Sequence, residues 1–294
     1  MTSGHFLEAE LRAALGDPGL RVTGVHPVSG GCIHEAARLE TTRGAFFAKW
    51  NERGPAELFV REAEALRALK DAGSALLVPE VLLASPPREG RPGFVVMEYL
   101  QPSSGHGRSE LEALGRGLAE VHRRLAKAFG FSVTTYCGPT PQDNTFAASW
   151  VEFYAERRIR ALVRLLEEKG QVGASEQGLL HKLADRLPAL LGHETEPSLI
   201  HGDLWSGNVL HTARGPALVD PACAYADREM EFGITTLFGG FGDFFFAAYA
   251  EAWPLPTGWR ERNPLYQLYH LLNHFLIFGG AYGPQALALA RRYV

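Results

Sequence analysis

The spacing of apolar residues changes near residue 101, and this change constrains the fold more than any other feature of the sequence. Before that point the chain predicts strands, one long helix and further strands, and beyond it mainly helices. Strands grouped around a single helix favour an antiparallel sheet with the helix packed on it. We therefore expect an α+β protein of two lobes, a small sheet lobe over 1–101 and a larger helical lobe over 102–294.

The individual elements follow from the same patterns. Runs bounded by turn residues predict strands over 22–28, 33–40, 45–50, 80–84 and 94–100. Amphipathic spacing predicts helices over 5–15, 55–72, 149–169, 176–191, 230–238 and 265–278. Another helix is expected to begin at Ser109, because Glu112 stands three residues later in the pattern of a capping box.

Composition excludes several classes of protein. The 294 residues carry a net charge of −4, whereas a nucleic-acid partner would favour a basic face. No apolar run reaches the roughly 20 residues that span a bilayer, and no apolar signal core follows the N-terminus, so we expect a cytoplasmic protein without a membrane partner. Three scattered cysteines are too few for a disulfide framework or a zinc site.

The strongest chemical signal is the sequence HGDLWSGN at 201–208. Asp203 precedes Asn208 by five residues, the spacing of a kinase catalytic loop, in which the aspartate receives the proton of the acceptor hydroxyl and the asparagine holds Mg²⁺. Asp220 follows an apolar segment and supplies a second acid for the metal. The spacing alone also fits a solvated turn, but the whole string with Asp220 favours phosphoryl transfer from ATP. We expect His201 to brace the loop rather than act as the base.

Lys49 lies on an apolar strand, where a kinase lysine contacts the phosphates of ATP and pairs with a glutamate of the next helix. Glu62 has apolar neighbours three and four residues away, whereas those of Glu64 are mostly polar. A carboxylate that faces a core is costly unless it is paired. We therefore predict a Lys49–Glu62 ion pair, and the alternative is that Glu62 reaches water at the edge of the apolar stripe.

Two further segments fit nucleotide binding, a loop ahead of the Lys49 strand and the end of the sheet lobe. Their residues are Gly30, Gly31 and Cys32 in the loop, and Glu98, Tyr99 and Leu100 at the end of the lobe. Glycines allow backbone N–H groups to approach phosphate oxygens, although an ordinary turn has the same sequence. Backbone groups between two lobes suit the edge of adenine, and an ordinary buried strand is the alternative.

Two residues are candidates for contact with the acceptor. Trp205 lies inside the 201–208 loop, where its ring would either stack on a sugar or amine or pack in the core. Asp227 begins a predicted helix, where acidic residues stabilise the first turn. A carboxylate at that place would alternatively bind a cationic amine of the substrate.

At these residues the chain resembles the fructosamine kinase (ketosamine 3-kinase) family, whose relatives include aminoglycoside and choline phosphotransferases of the protein-kinase-like fold. The resembling segments are GGCI at 30–33, VMEYL at 96–100, FGF at 129–131, CG at 137–138 with Pro141, Gln142 and Asn144, HGDLWSGN at 201–208, DPA at 220–222 and LFGGF at 237–241. They are spread over almost the whole chain.

The resemblance implies a transferase that uses Mg-ATP to phosphorylate the O3 hydroxyl of a ketosamine, the adduct of a sugar such as ribulose, erythrulose or fructose with an amine. The phosphorylated adduct eliminates and frees the amine, which is deglycation of a small amine or a protein. It also implies that Asp203 is the base, that Asn208 and Asp220 hold Mg²⁺, that Lys49 and Glu62 position the phosphates, and that 98–100 binds adenine.

Two alternatives stay open. One is transfer to an aminoglycoside, choline or another amino-alcohol, and the other is a nucleotide-binding protein without catalysis, which would not need the base. The thiol of Cys32 in the phosphate loop leads to the hypothesis of an inhibitory, redox-linked dimer, with a small half-buried residue as the alternative.

Overall fold

The computed structural model describes residues 6–28, 34–104 and 107–294. The sheet lobe contains one five-stranded antiparallel sheet with strands in the order β1-β2-β3-β5-β4. Its strands are β1 (Val22–Pro27), β2 (Glu35–Thr41), β3 (Gly44–Asn51), β4 (Val81–Ser85) and β5 (Gly93–Glu98). The predicted strands and their antiparallel arrangement are confirmed.

Two helices cover the two faces of this sheet. Successive side chains of a strand point to opposite faces, so Phe94 packs with α1 (Phe6–Leu15) and Val95 with α2 (Leu58–Asp71). Lys49 of β3 pairs in register with Val95 of β5 and therefore lies on the α2 face. This register brings the lysine to the helix that carries its predicted partner.

The helical lobe packs its helices around three short strand pairs. Its helices are α3 (Arg108–His122), α4 (Trp150–Tyr154), α5 (Ala161–Glu168), α6 (Ala174–Leu190), α7 (Glu231–Phe238), α8 (Asp243–Ala252), α9 (Trp259–Phe278) and α10 (Tyr282–Arg291). The strand pairs are β6 (Thr135–Cys137) with β7 (Thr140–Gln142), β8 (Ser198–Ile200) with β11 (Ala224–Ala226), and β9 (Val209–Thr212) with β10 (Gly215–Leu218). A π-helical turn, Ala155–Arg160, joins α4 to α5.

Some of the predicted helix limits were wrong. The capping box at Ser109 is absent, because α3 begins at Arg108 and the Glu112 carboxylate instead accepts a hydrogen bond from Arg108 Nε at 2.7 Å. The helix expected from 265 begins at Trp259, with Pro264 inside it, although proline more often marks a helix start. α8 was not predicted, since its sequence is apolar nearly all round and lacks a clear amphipathic stripe.

The two lobes share an apolar core. Leu66 of α2 and Met97 of β5 belong to the same buried cluster as Leu118 of α3 and Phe232 of α7. The division at 101/102 into two domains stays a proposal, which the change of texture at that point supports. No helix in the described part of the chain is long and apolar enough to cross a membrane.

Candidate active site

Two cavities meet in the cleft between the lobes. The larger has a volume of about 530 Å³, and the smaller, of about 230 Å³, is lined by residues of β2, β3 and the end of β5. Four residues line both cavities: His34, Lys49, Asn208 and Asp220. A group that moves from a ligand in one cavity to a ligand in the other would pass between these side chains.

The 201–208 loop is held in shape by His201. Its Nε2 donates to the carbonyl oxygen of Val219 at 2.8 Å, and its Nδ1 accepts the N–H of Asp203 at 3.3 Å. Burial lowers the pKa of His201, so the ring is neutral and has one donor and one acceptor nitrogen. The expected bracing role of His201 is confirmed by these two contacts.

Glu231, the first residue of α7, also holds the 201–208 loop in place. Its carboxylate accepts the backbone N–H of His201 at 2.6 Å and that of Gly202 at 3.0 Å. Burial would raise the pKa of Glu231, but the hydrogen bonds from His122 and from the backbone N–H of His201 outweigh it and lower this pKa. Glu231 therefore stays ionised although it is almost completely buried.

Asp203 lies in the larger cavity, where the loop presents its carboxylate. Burial and the negative charge of Asp220 raise the pKa of Asp203 to about 8. The Cys137 thiol and the Asn208 amide donate hydrogen bonds to this carboxylate and act in the opposite direction. Burial raises the pKa of Cys137 well above its usual range, so the thiol keeps its proton and acts as a donor. A carboxyl group with a raised pKa at a cavity is a candidate for acid–base chemistry.

Asn208 and Asp220 present oxygen atoms at the junction of the two cavities. Asn208 uses Nδ2 for its bonds to the Asp203 carbonyl at 2.8 Å and the Asp203 carboxylate at 3.2 Å, which orients its amide. Asp220 has a φ of 57°, and it is the one residue other than glycine with a positive φ in the described part of the chain. Such strain costs about 1–3 kcal/mol and concentrates at functional sites. Carboxylate and amide oxygens are the donors that Mg²⁺ prefers, so this pair fits the expected metal.

Lys49 bridges the two acidic groups that were predicted from different parts of the sequence. Its Nζ lies 2.9 Å from Glu62 Oε1 and also contacts the Asp220 carboxylate. Burial would lower the pKa of Lys49, but the carboxylates of Asp220 and Glu62 outweigh it and raise this pKa. The Lys49–Glu62 ion pair is therefore confirmed as a contact, and the lysine is positively charged.

The structure describes one of the two predicted nucleotide-binding segments. Glu98, Tyr99 and Leu100 line the smaller cavity, together with apolar side chains such as Val28 and Phe47, a lining that suits a flat heterocycle. The Glu98 carboxylate is occupied elsewhere, since it accepts a hydrogen bond from Arg214 Nη2 at 2.8 Å.

The other predicted nucleotide-binding segment is the glycine loop. Its predicted residues Gly30, Gly31 and Cys32 lie outside the described ranges. Their contact with phosphate stays a prediction.

The two predicted acceptor contacts lie in different places. Trp205 lines the larger cavity and is 38% exposed, so it is placed to touch a ligand there. Asp227 is 1% exposed and is not among the residues that line either cavity. It accepts the hydroxyl hydrogen of Tyr266 at 2.6 Å and the N–H of Glu229 at 2.9 Å, which is the helix-capping alternative.

Three features of the site were missed in the sequence. Glu231 stands between Met230 and Phe232, and an acid within an apolar stretch is the same signal that selected Glu62. Cys137 could not be connected with Asp203, because the contact joins distant parts of the chain. The third feature, a group of aromatic side chains at the far end of the larger cavity, comes from three helices.

Comparisons with known proteins agree over nearly the whole chain. A family model described as fructosamine kinase matches residues 7–294. The chloroplastic protein-ribulosamine 3-kinase of Oryza sativa subsp. indica is 37% identical over 279 residues, which are 93% of this chain and 80% of the relative. A probable ketoamine kinase of Vibrio parahaemolyticus is 38% identical over 260 residues, 88% of each chain.

Solved structures agree with the fold. The crystal structure of a candidate fructosamine-3-kinase from Thermobifida fusca has a TM-score of 0.85 and 33% identity, and the match covers 97% of each chain. A thermostable mutant of an aminoglycoside phosphotransferase has a TM-score of 0.61 at 18% identity, covering 97% of this chain and 98% of the other, and it shows the fold alone. The predicted two-lobed, kinase-like α+β fold is confirmed.

Proposed function

The chain belongs to the fructosamine kinase family, and we propose that it is an ATP-dependent ketosamine 3-kinase. It transfers the γ-phosphoryl group of ATP to the O3 hydroxyl of an adduct between an amine and a sugar such as ribulose or fructose. The phosphorylated adduct is unstable and eliminates, which releases the amine. The reaction is thus the first step of deglycation.

The observation that carries this proposal is the junction between the two cavities. Asp203 lies in the larger cavity beside Asn208 and Asp220, which also line the smaller one. An acceptor hydroxyl at Asp203 and a nucleotide in the smaller cavity would therefore face each other across these two residues. Phosphoryl transfer needs the acceptor and the leaving group on opposite sides of the phosphorus, and two cavities that share these residues allow that placement.

Each residue at the junction has a separate role. Asp203 accepts the proton of the O3 hydroxyl as the new P–O bond forms, and its raised pKa suits a group that must hold this proton. Lys49 contacts phosphate oxygens, and Glu62 holds the lysine in place at 2.9 Å. We expect the backbone of 98–100 to bind the edge of adenine and the glycine segment at 30–32 to bind the phosphates.

Asn208 and Asp220 would hold Mg²⁺ through their side-chain oxygens. Bound there, the metal would supply the positive charge that phosphoryl transfer from ATP requires. Trp205 stacks on the sugar or the amine, since its ring lines the cavity that contains Asp203. Asp227 lines neither cavity, so we do not assign it to the acceptor site.

Release of ADP by the purified protein with Mg-ATP tests this function against the alternative acceptors. Ribulose-lysine, fructose-lysine, choline and kanamycin are offered in turn, and Asp203→Asn is the control. We expect turnover of the two ketosamines alone and its loss in the variant. Turnover confined to choline or kanamycin would overturn the substrate assignment, and binding of ATP without turnover of any acceptor would favour a protein without catalysis.

Three expectations stay predictions. These are the cytoplasmic location, the absence of a nucleic-acid partner, and the inhibitory dimer through Cys32, whose residue lies outside the described ranges.

A further inference from the structure

The larger cavity has two chemically different ends. The charged residues that line it are Lys49, Glu62, Asp203 and Asp220, all at the junction with the smaller cavity. The lining also includes a group of aromatic residues packed around His274, namely Phe238, His274, Phe278 and Tyr282, which we call the aromatic end. Among the described lining residues, none with a formal charge lies at this end.

The aromatic end is built around His274 of α9. The ring centroid of His274 lies 4.8 Å from that of Phe238, 5.1 Å from Tyr282 and 5.6 Å from Phe278. These separations are typical of aromatic pairs that contact each other. Burial lowers the pKa of His274, so its ring is uncharged at neutral pH. The surface that faces the cavity is therefore aromatic and neutral.

Both phenylalanines of the aromatic end belong to Phe-Gly-Gly segments that end a helix. Phe238 ends α7 and Phe278 ends α9, and each is followed by two glycines with φ between 61° and 93°. This left-handed backbone ends a helix and is disfavoured for other residues. Each helix therefore stops at the cavity and leaves a phenylalanine ring at its mouth.

The exposure of these rings indicates a ligand-binding site. Five Phe and Trp side chains are exposed in the described part of the chain: Phe146, Trp205, Phe238, Phe244 and Phe278. Three of these five, Trp205, Phe238 and Phe278, line the larger cavity. A single exposed aromatic residue is common at protein surfaces and indicates no site by itself. A cluster of exposed aromatic rings within one cavity is typical of a binding site.

We propose that the aromatic end binds the amine substituent of the ketosamine and selects apolar or aromatic substituents over those that carry a carboxylate. This inference rests on the proposed function. With O3 at Asp203 and the nucleotide in the smaller cavity, the amine on C1 and its substituent occupy the rest of the larger cavity. The aromatic end is what remains there.

The chemistry of the aromatic end determines the preference. The protonated secondary amine of a ketosamine is attracted to aromatic faces, and an apolar substituent gains from burial against them. A carboxylate would find no cation at this end, because Lys49 is held by Glu62 and Asp220 at the other. It would lose part of its hydration against the rings without gaining an ion pair, so the ribulose adduct of a free amino acid should be a poor substrate.

The test compares kcat/KM for the ribulose adducts of benzylamine, methylamine and glycine. We expect the benzylamine adduct to exceed the methylamine adduct about tenfold, and the glycine adduct to be the poorest. Phe278→Ala should reduce the benzyl-to-methyl ratio to about threefold or less, while Phe278→Tyr, which keeps the ring, retains it. Phe146→Ala is the matched control, since Phe146 and Phe278 are both 53% exposed but Phe146 does not line the cavity.

The outcomes separate this inference from the function on which it rests. Turnover of the adducts with a benzyl-to-methyl ratio near one, a preference for the glycine adduct, or an unchanged ratio in Phe278→Ala overturns the aromatic subsite alone. A loss of the ratio in Phe146→Ala as well would also overturn it, because the effect would not be local. No turnover of any adduct by the wild type would overturn the proposed function and this inference with it.

Discussion

Replacement of Glu231 by glutamine should impair both stability and turnover, although the residue does not line the cavity. The carboxylate accepts the N–H groups of His201 and Gly202 at 2.6 and 3.0 Å. A glutamine amide retains one acceptor oxygen and presents an NH₂ group to the second donor. One buried N–H group of the catalytic loop is then left without an acceptor.

The magnitude follows from this loss. A hydrogen bond to a charged group contributes about 1.5–3 kcal/mol, and an unsatisfied buried donor costs about 1–3 kcal/mol. We expect Glu231→Gln to lower the free energy of unfolding by about 2–3 kcal/mol, which for a chain of 294 residues corresponds to a decrease in Tm of roughly 3–5 °C. A displacement of the loop by about 1 Å would move Asp203 and reduce kcat about 100-fold.

Thermal unfolding and steady-state kinetics measure these two effects. Glu64→Gln is the matched control, because Glu64 forms a partly exposed ion pair with Arg61 at the surface of α2, and surface pairs contribute about 0–1 kcal/mol. Glu231 itself does not line the smaller cavity, so the KM for ATP should change less than kcat in Glu231→Gln. An unchanged Tm together with a kcat within about threefold of wild type would refute the bracing role.

Three further predictions follow from other contacts. Cys137→Ala removes a hydrogen bond that lowers the pKa of Asp203, so the acidic limb of the pH profile of kcat/KM should move to higher pH, whereas Cys137→Ser should keep it. Glu62→Gln removes one of the two carboxylate partners of Lys49 and should raise the KM for ATP about tenfold in ADP-release kinetics. His193 Nε2 lies 2.8 Å from Asp227 Oδ2 and 3.7 Å from Glu229 Oε1, and the hydrogen bond to Asp227 raises the pKa of His193. These ion pairs therefore stabilise the fold below the ordinary histidine pKa, and this stabilisation is lost as pH rises through the raised value. The Tm difference between wild type and His193→Asn should therefore shrink from pH 6 to pH 9.

The sequence predicted the chemical centre well because its signals are local. The spacing of Asp203 and Asn208 lies within one loop, and the burial of Glu62 follows from its own helix. Each prediction needed only the periodicity of one helix or the spacing within one motif. The contact of Lys49 with Asp220 joins residues 171 positions apart, yet it follows once both are placed by the fold.

The parts that sequence alone could not predict depend on tertiary packing. Whether Asp227 faces a substrate or caps a helix is decided by Tyr266 of α9, which is remote in the sequence. The aromatic end is likewise assembled from three helices, of which α10 was not predicted. Helix starts were displaced where a proline or a polar residue gave a misleading signal, as at Pro264 and Ser109.

The central claim is that this chain phosphorylates O3 of a ketosamine with Asp203 as the base. The most direct measurement is NMR of the product formed from Mg-ATP and ribulose-lysine, with the initial rate measured in parallel for wild type and Asp203→Asn. We predict a phosphorus signal coupled to the proton on C3 and a rate about 100- to 10,000-fold lower in the variant. Phosphate on another hydroxyl, or a loss of less than about tenfold in Asp203→Asn, about 1.4 kcal/mol in the barrier, would contradict the account.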